Sequence, residues 1–235
     1  MTTRLDWVGL LRHGQSTGNV AREAAEAAGR EVIDIAERDA DVPLSELGLR
    51  QARAAGEWLA GEPPQLVVAS PYRRAVDTAR VALDVAAAGG VEVPGGLRAD
   101  ERLRDRELGV LDLLTSRGVA ERWPDELRRK QRLGKFYYRP PGGESWADVV
   151  LRLRSLLADL SAETPGLRVL FVAHEVTVFA LRYVLEGVPE PVLLAAAART
   201  DIPNASVSAW ERGRDGGFRM TVAQDVGHLV DVPLV

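Results

Sequence analysis

Residues 11–19 read LRHGQSTGN, and they follow directly on an apolar run that begins at Trp7. The chain has only three histidines, so placing one between an arginine and a glycine at the end of such a run requires a reason. His13 in that position suits a base, a metal ligand, a nucleophile or a buried structural residue. The apolar run itself is more decisive. Residues 8–11 are apolar without alternation, the pattern of a strand covered on both faces in a parallel sheet. Residues 66–69 and 169–173 repeat it, and each of the three runs is followed by a helix start.

Longer segments between these strands carry helical periodicity, and the alternation predicts an α/β fold with helices on both faces of a mostly parallel central sheet. Ser45 is expected to cap a helix carrying Leu49, Ala52, Trp58 and Leu59, which Gly61 and Pro63-Pro64 end. Ser70 and Pro71 fit N-cap and first-turn positions of a helix that stops at Gly89-Gly90. Ser145 and Asp148 read as a capping box opening a helix whose Trp146, Val149, Val150, Leu153, Leu156, Leu157 and Leu160 share one face. Residues 206–210 and 218–222 flank ERGRDGG, which predicts a hairpin. Residues 115–140 read as a helical, lid-like insertion within one domain spanning 1–235.

Composition narrows the functional classes. A chain of 235 residues with 46% hydrophobic content supports a sizeable core. The net charge of -4 supplies no field for nucleic acid or an anionic membrane. No cysteine is present, which excludes disulfides, thiolate metal sites and a cysteine nucleophile. No segment approaches the roughly 20 apolar residues of a membrane span, so a soluble, cytoplasmic protein is expected. The only lysines are Lys130 and Lys135, and arginine carries the remaining side-chain positive charge.

In open parallel sheets the carboxyl ends of the strands share one edge, where ligands bind. Arg12-His13-Gly14, residues 70–74 and His174-Glu175 all follow strands and therefore converge there. Two histidines and two arginines at one edge suit a tetrahedral anion, because guanidinium forks match phosphate oxygens and need no metal. No H-E-x-x-H pair or carboxylate and histidine cluster at ligand spacing is present, and no metal or other cofactor is expected.

LRHGQSTGN resembles the signature of the histidine phosphatase superfamily, the phosphoglycerate mutase-like fold, in which an RHG motif opens the chain. The likeness extends through DVPLSELGLRQA (41–52), SPYRRAVDTA (70–79), RLRDRELG (102–109), PGGES (141–145), VLFVAHE (169–175) and IPNASV (202–207), in the family's order. It implies a three-layer sandwich. It also implies that His13 is a nucleophile phosphorylated on a ring nitrogen, with Arg12, Arg74 and His174 binding the transferring group and Asn19 lining the same pocket. Arg74 is preferred to Arg73 because the family's arginine directly precedes the alanine; Arg73 would face elsewhere on the helix.

The resemblance puts the proton donor at Asp105, where most members carry glutamate, with Glu107 two residues on as the alternative. Arg106, Glu175 and Asn204 are further candidates for substrate binding. Glu175 stands where glycine commonly follows the second histidine; it is read either as a helix-start carboxylate favoured by the macrodipole or as a selector of substrates bearing an amine or hydroxyls. RRKQRLGK (128–135) and the following FYYRPPGGES read as a solvated face or a lid, with Phe136, Tyr137 and Tyr138 shaping specificity in the second case. Glu144 and Ser145 are taken as structural, and His228 as structural or exposed. The implied activity is a phosphoric monoester hydrolase of the histidine acid phosphatase type, acting on a small phosphorylated metabolite. A phosphoglycerate mutase-type phosphotransferase and a non-catalytic phospho-ligand or interaction module are the alternatives, and a homodimer is left open.

Overall fold

A computed structural model describes residues 4–163 and 166–233. The central sheet has six strands: β1 (Trp7–Arg12), β2 (Leu66–Ala69), β3 (Leu97–Ala99), β4 (Arg168–Ala173), β5 (Val207–Arg212) and β6 (Phe218–Asp225). Their order across the sheet is β3-β2-β4-β1-β5-β6. The first four are mutually parallel, and β5 and β6 continue the sheet antiparallel. The expected hairpin is this last pair, with a register shift around Ala209 and strands that run two to three residues beyond the apolar cores seen in the sequence.

The lack of alternation in β1 has the expected cause. Val8 and Leu10 enter one apolar cluster, Trp7 and Leu11 enter the other, and all four are at most 2% exposed. Burying each such side chain stabilises the fold by roughly 1.5–3 kcal/mol. The first layer is built from α6 (Trp146–Glu163) and α7 (Glu175–Leu181), which a π-helical turn at Arg182–Glu186 extends. The second is built from α2 (Glu46–Gly61) and α3 (Arg73–Ala88). Sheet and helices form a three-layer α/β sandwich. The remaining helices are α1 (Thr17–Ala27), α4 (Ser116–Arg122), α5 (Pro124–Leu133) and α8 (Glu190–Ala197). No helix among the described residues is long and apolar enough to cross a membrane.

Local signals explain most boundaries. The Ser45 hydroxyl accepts from Gly48 N–H at the start of α2, and Ser145 with Asp148 forms the reciprocal box at the start of α6. All seven residues assigned to the α6 face are buried. The cap of α3 is a correction: the helix begins at Arg73 after Tyr72, without a side-chain cap, and Ser70 and Pro71 precede it. The Ser70 hydroxyl accepts from Tyr72 N–H at 3.3 Å ahead of the helix and also meets His174 at the sheet edge, as described below.

Two glycines bring the helix layer against the strand-end loop. A Cβ on Gly48 would lie 2.0 Å from the backbone oxygen of Gln15, and one on Gly14 would lie 2.6 Å from the backbone oxygen of Gly48. Only glycine permits α2 to meet the loop after β1 this closely.

Candidate active site

His13 follows β1, Ser70 follows β2 and His174 follows β4, so three adjacent parallel strands deliver them to one edge. The His13 backbone is fixed on both sides. Its N–H donates to Ala173 at 2.9 Å, and its carbonyl accepts from Ala205 N–H at 3.2 Å and from the Asn204 amide at 3.0 Å. The Gly14 N–H donates to Thr78 Oγ1 at 3.0 Å, and that hydroxyl donates to the Arg74 carbonyl at 2.6 Å, linking the loop to the first turn of α3.

The side chain of His13 is 3% exposed, and its Nδ1 lies 2.7 Å from the Gly14 carbonyl oxygen. A carbonyl can only accept, so Nδ1 carries the proton and Nε2 keeps its lone pair. Burial, the neighbouring His174, Arg74 and Arg12 all push the His13 pKa well below its ordinary value. The ring is therefore neutral at physiological pH, the state in which Nε2 acts as a nucleophile.

The His174 ring stands edge-on to His13, with centroids 5.2 Å apart. Its Nε2 lies 2.8 Å from Ser70 Oγ, and its Nδ1 lies 3.3 Å from Asp105 Oδ2 in a polar contact too bent to count as a hydrogen bond. Burial drives its pKa down to about 3, against the opposing pull of Asp105. A neutral His174 with its proton on Nδ1 faces the carboxylate and lets Nε2 accept from the Ser70 hydroxyl.

Arg74 is almost enclosed, with a side chain 5% exposed, and its Nη2 lies 3.2 Å from Asp105 Oδ2. Arg12 donates through Nη1 to the Ile202 carbonyl, while its buried Nε–H has no partner among the described residues. Burial lowers the Arg12 pKa, with Glu175 and Asp105 opposing. Burial would raise the Asp105 pKa, but His174, Arg74, the Arg106 N–H and Arg12 together outweigh it and hold the carboxylate below its usual range.

Arg12, His13, Arg74, Asp105, Arg106 and Glu175 line one cavity of about 370 Å³. Glu175 is the first residue of α7, and burial raises its pKa more than Arg12 lowers it. Arg106 is held by donation to the carbonyls of Glu144 and Tyr138. Glu107 also reaches the cavity wall, where its Oε1 accepts from the Tyr72 hydroxyl at 2.7 Å. Arg73 points away and pairs with Asp77 on the surface, as its helical position required.

Three expected site residues lie outside this lining; one is His174, which is 0% exposed and meets the site through its contacts with His13 and Asp105. The Asn19 carboxamide oxygen accepts from Ser16 N–H at 2.9 Å and completes a capping box on α1, so it is engaged by backbone. Asn204 is 4% exposed and spends its amide on the His13 carbonyl, which makes it a backbone support. In the basic run only Lys135 reaches the cavity, with its ammonium 4.9 Å from the Trp146 ring centroid. Arg128 and Arg129 pair with Asp125 and Glu126 of their own helix. Phe136 and Tyr138 are core residues at 2% exposure, whereas Tyr137 is exposed. Glu144 is structural: it accepts from Arg104 and Arg152, and Arg152 also donates to the carbonyls of Arg102 and Asp105. His228 is half-buried beside Trp58. No group of three or more potential metal ligands occurs among the described residues.

Sequence reasoning missed two residues of the site. Ser70 was readable, since it directly follows β2 at the shared edge. Asp39, whose carboxylate bonds Arg74, gave no such signal because it lies on a short 3-10 turn between distant elements.

Comparison with known proteins matches the chain to a family. The model of the histidine phosphatase superfamily (branch 1) matches residues 8–225. A 2,3-bisphosphoglycerate-dependent phosphoglycerate mutase of Methylorubrum extorquens (strain PA1) is 33% identical over 198 residues, covering 83% of this chain and 85% of the relative. A glucosyl-3-phosphoglycerate phosphatase of Mycobacterium tuberculosis (strain CDC 1551 / Oshkosh) is 33% identical over 195 residues, covering 77% and 75%. A solved structure of a mycobacterial glucosyl-3-phosphoglycerate phosphatase complexed with VO3 superposes with a TM-score of 0.69 at 30% identity, covering 93% of this chain and 98% of that one.

Proposed function

The chain belongs to the histidine phosphatase superfamily, and from that premise we propose that it is a metal-independent phosphomonoesterase working through a phosphohistidine on His13. Its substrate class is a small phosphorylated metabolite. The supporting observation is the convergence of a neutral His13, the cations Arg12 and Arg74, and Asp105 on one cavity, with the buried His174 packed edge-on against His13 and 3.3 Å from Asp105. Phosphoryl transfer needs chiefly positioning and charge stabilisation, and these groups supply both. In this reading residues 1–235 act as one catalytic domain, with Lys135 carrying the 115–140 insertion to the cavity rim.

The phosphoryl oxygens take N–H donors of Arg12, including its orphaned Nε–H, together with Arg74 and His174. The Nε2 lone pair of His13 attacks phosphorus, and the bond from phosphorus to the ester oxygen breaks. Asp105 gives that oxygen its proton. The carboxylate is ionised before substrate binds. A bound phosphomonoester opposes the fields of Arg12 and Arg74, which raises the Asp105 pKa toward the range a general acid needs, so the carboxylate takes up one proton from solvent as the ester binds and returns one to solvent when phosphate leaves. Water then loses a proton to the Asp105 carboxylate and attacks the phosphohistidine, and inorganic phosphate leaves with His13 restored.

A phosphoglycerate mutase reading is favoured by one feature: Arg22, Arg106 and Lys135 add three cations to the cavity wall, suited to a second anionic group. One experiment separates the readings. Incubation with a panel of phosphomonoesters is expected to release inorganic phosphate and to leave acid-labile phosphohistidine on the wild type and none on His13→Ala. Interconversion of 2- and 3-phosphoglycerate without net phosphate release would favour the mutase. Ester binding without either product would favour a non-catalytic module.

A further inference from the structure

Arg74 is occupied before any phosphoryl group arrives. A guanidinium has five N–H donors, and four of these meet protein oxygens. Nη1 donates to the Asp39 carbonyl at 2.7 Å and to Asp39 Oδ1 at 3.0 Å. Nη2 donates to Asp39 Oδ2 at 3.3 Å and to Asp105 Oδ2 at 3.2 Å. Asp105 has its role as proton donor, but the mechanism above makes no use of Asp39. Asp39 opens the turn Asp39–Asp41, packs against the first turn of α3, lines the same cavity, and keeps 44% of its side chain exposed.

A carboxylate forked on a guanidinium uses the same paired N–H geometry that a phosphate uses. Arg74, at 5% exposure, is confined, so exchange of one anion for the other falls to the half-exposed carboxylate. We propose that Asp39 is a competing ligand of Arg74: a resident carboxylate that the phosphoryl group must displace, which weakens the hold on phosphate and speeds its release as product. When the phosphoryl group binds, Asp39 loses part of its fork and stands beside a like charge, and both effects oppose retention. This inference rests on the phosphomonoesterase reading and adds to it a residue that the family's motifs do not include.

The test compares inorganic phosphate as a competitive inhibitor of p-nitrophenyl phosphate hydrolysis in the wild type, Asp39→Asn, Asp39→Ser and Asp41→Asn. Asp41 is the control, since it carries the same charge two residues on but pairs with Arg38 at the surface. The inhibition constant is expected to fall about tenfold in both Asp39 variants, the scale of one charge-assisted hydrogen bond, with KM falling in parallel and Asp41→Asn matching the wild type. An unchanged or higher constant in both Asp39 variants overturns the inference and leaves Asp39 as a support that merely orients Arg74. A wild type that neither hydrolyses the ester nor binds phosphate in a calorimeter refutes the phosphomonoesterase reading itself, and this inference with it.

Discussion

Replacing Asp105 by asparagine removes one proton and one charge while keeping the side chain's size. Its Oδ1 accepts from Arg106 N–H at 2.8 Å, and its Oδ2 lies 3.2 Å from Arg74 and 3.3 Å from His174. Asparagine can keep the first contact and cannot donate a proton to a leaving oxygen. A positioned general acid contributes roughly 10²–10⁴-fold, or about 2.7–5.5 kcal/mol of barrier. That contribution matters only where the leaving group needs the proton. With an alkyl phosphate, the rate of His13 phosphorylation in Asp105→Asn is expected to fall by the full factor. With p-nitrophenyl phosphate, whose phenolate departs unaided, the fall should be much smaller. Glu107 supplies the contrast, because its carboxylate is engaged by the Tyr72 hydroxyl. Glu107→Gln should lose only a few-fold on either ester. Single-turnover rates of His13 phosphorylation by the two esters, measured for both variants, decide the matter, because kcat also contains the second step, in which Asp105 serves as base whatever the ester. Equal losses on both esters in Asp105→Asn, or a Glu107→Gln loss as deep as that of Asp105→Asn, would refute the assignment of Asp105 as proton donor.

Two further outcomes follow from the buried histidines. Ser70→Ala leaves His174 Nε2 buried without its 2.8 Å partner, which should cost about 1–3 kcal/mol of stability and lower kcat more than KM; a variant as stable and active as the wild type would remove Ser70 from the site. The His174 pKa is about 3 in the folded protein against an ordinary 6.5, so the unfolded chain takes up a proton first. The associated stability is complete above about pH 6.5 and drains as pH falls toward 3, with a slope near 1.4 kcal/mol per pH unit. His13, also depressed, adds a loss of the same sign. Urea unfolding at a series of pH values should therefore give His174→Gln a slope one proton shallower than the wild type, and identical slopes would show that His174 is not held neutral.

The strands around the site were legible because burial on both faces leaves a local record. Residues 8–11, 66–69 and 169–173 are continuous apolar runs, and each is a parallel strand whose next residue stands at the same edge. The α6 face and the Ser45 and Ser145 caps were legible for the same reason, since helical period and capping chemistry act over three or four residues. The roles of Asn19 and Asn204 were not. An amide is equally able to bind a phosphate or a backbone group, and here both amides serve the backbone around His13. Phe136 and Tyr138 look like loop aromatics in sequence, yet the fold draws them into the core and leaves Tyr137 outside.

The sequence by itself determined the strand-end edge, the pairing of Arg12 with His13, the choice of Arg74 over Arg73, and the presence of His174. All but the choice of Arg74 follow from position within one element; that choice rests on the likeness to the family's arginine motif. Only the tertiary structure decided the charge states and partners: that His13 carries its proton on Nδ1, that Ser70 serves His174, and that Asp105 is held ionised between Arg74 and His174. It alone disclosed Asp39 on the clamp arginine. The physical reason is that these properties depend on burial and on backbone geometry, as in the bond of His13 to the adjacent Gly14 carbonyl, and on groups brought together from segments 31 to 104 residues apart, which no local pattern records.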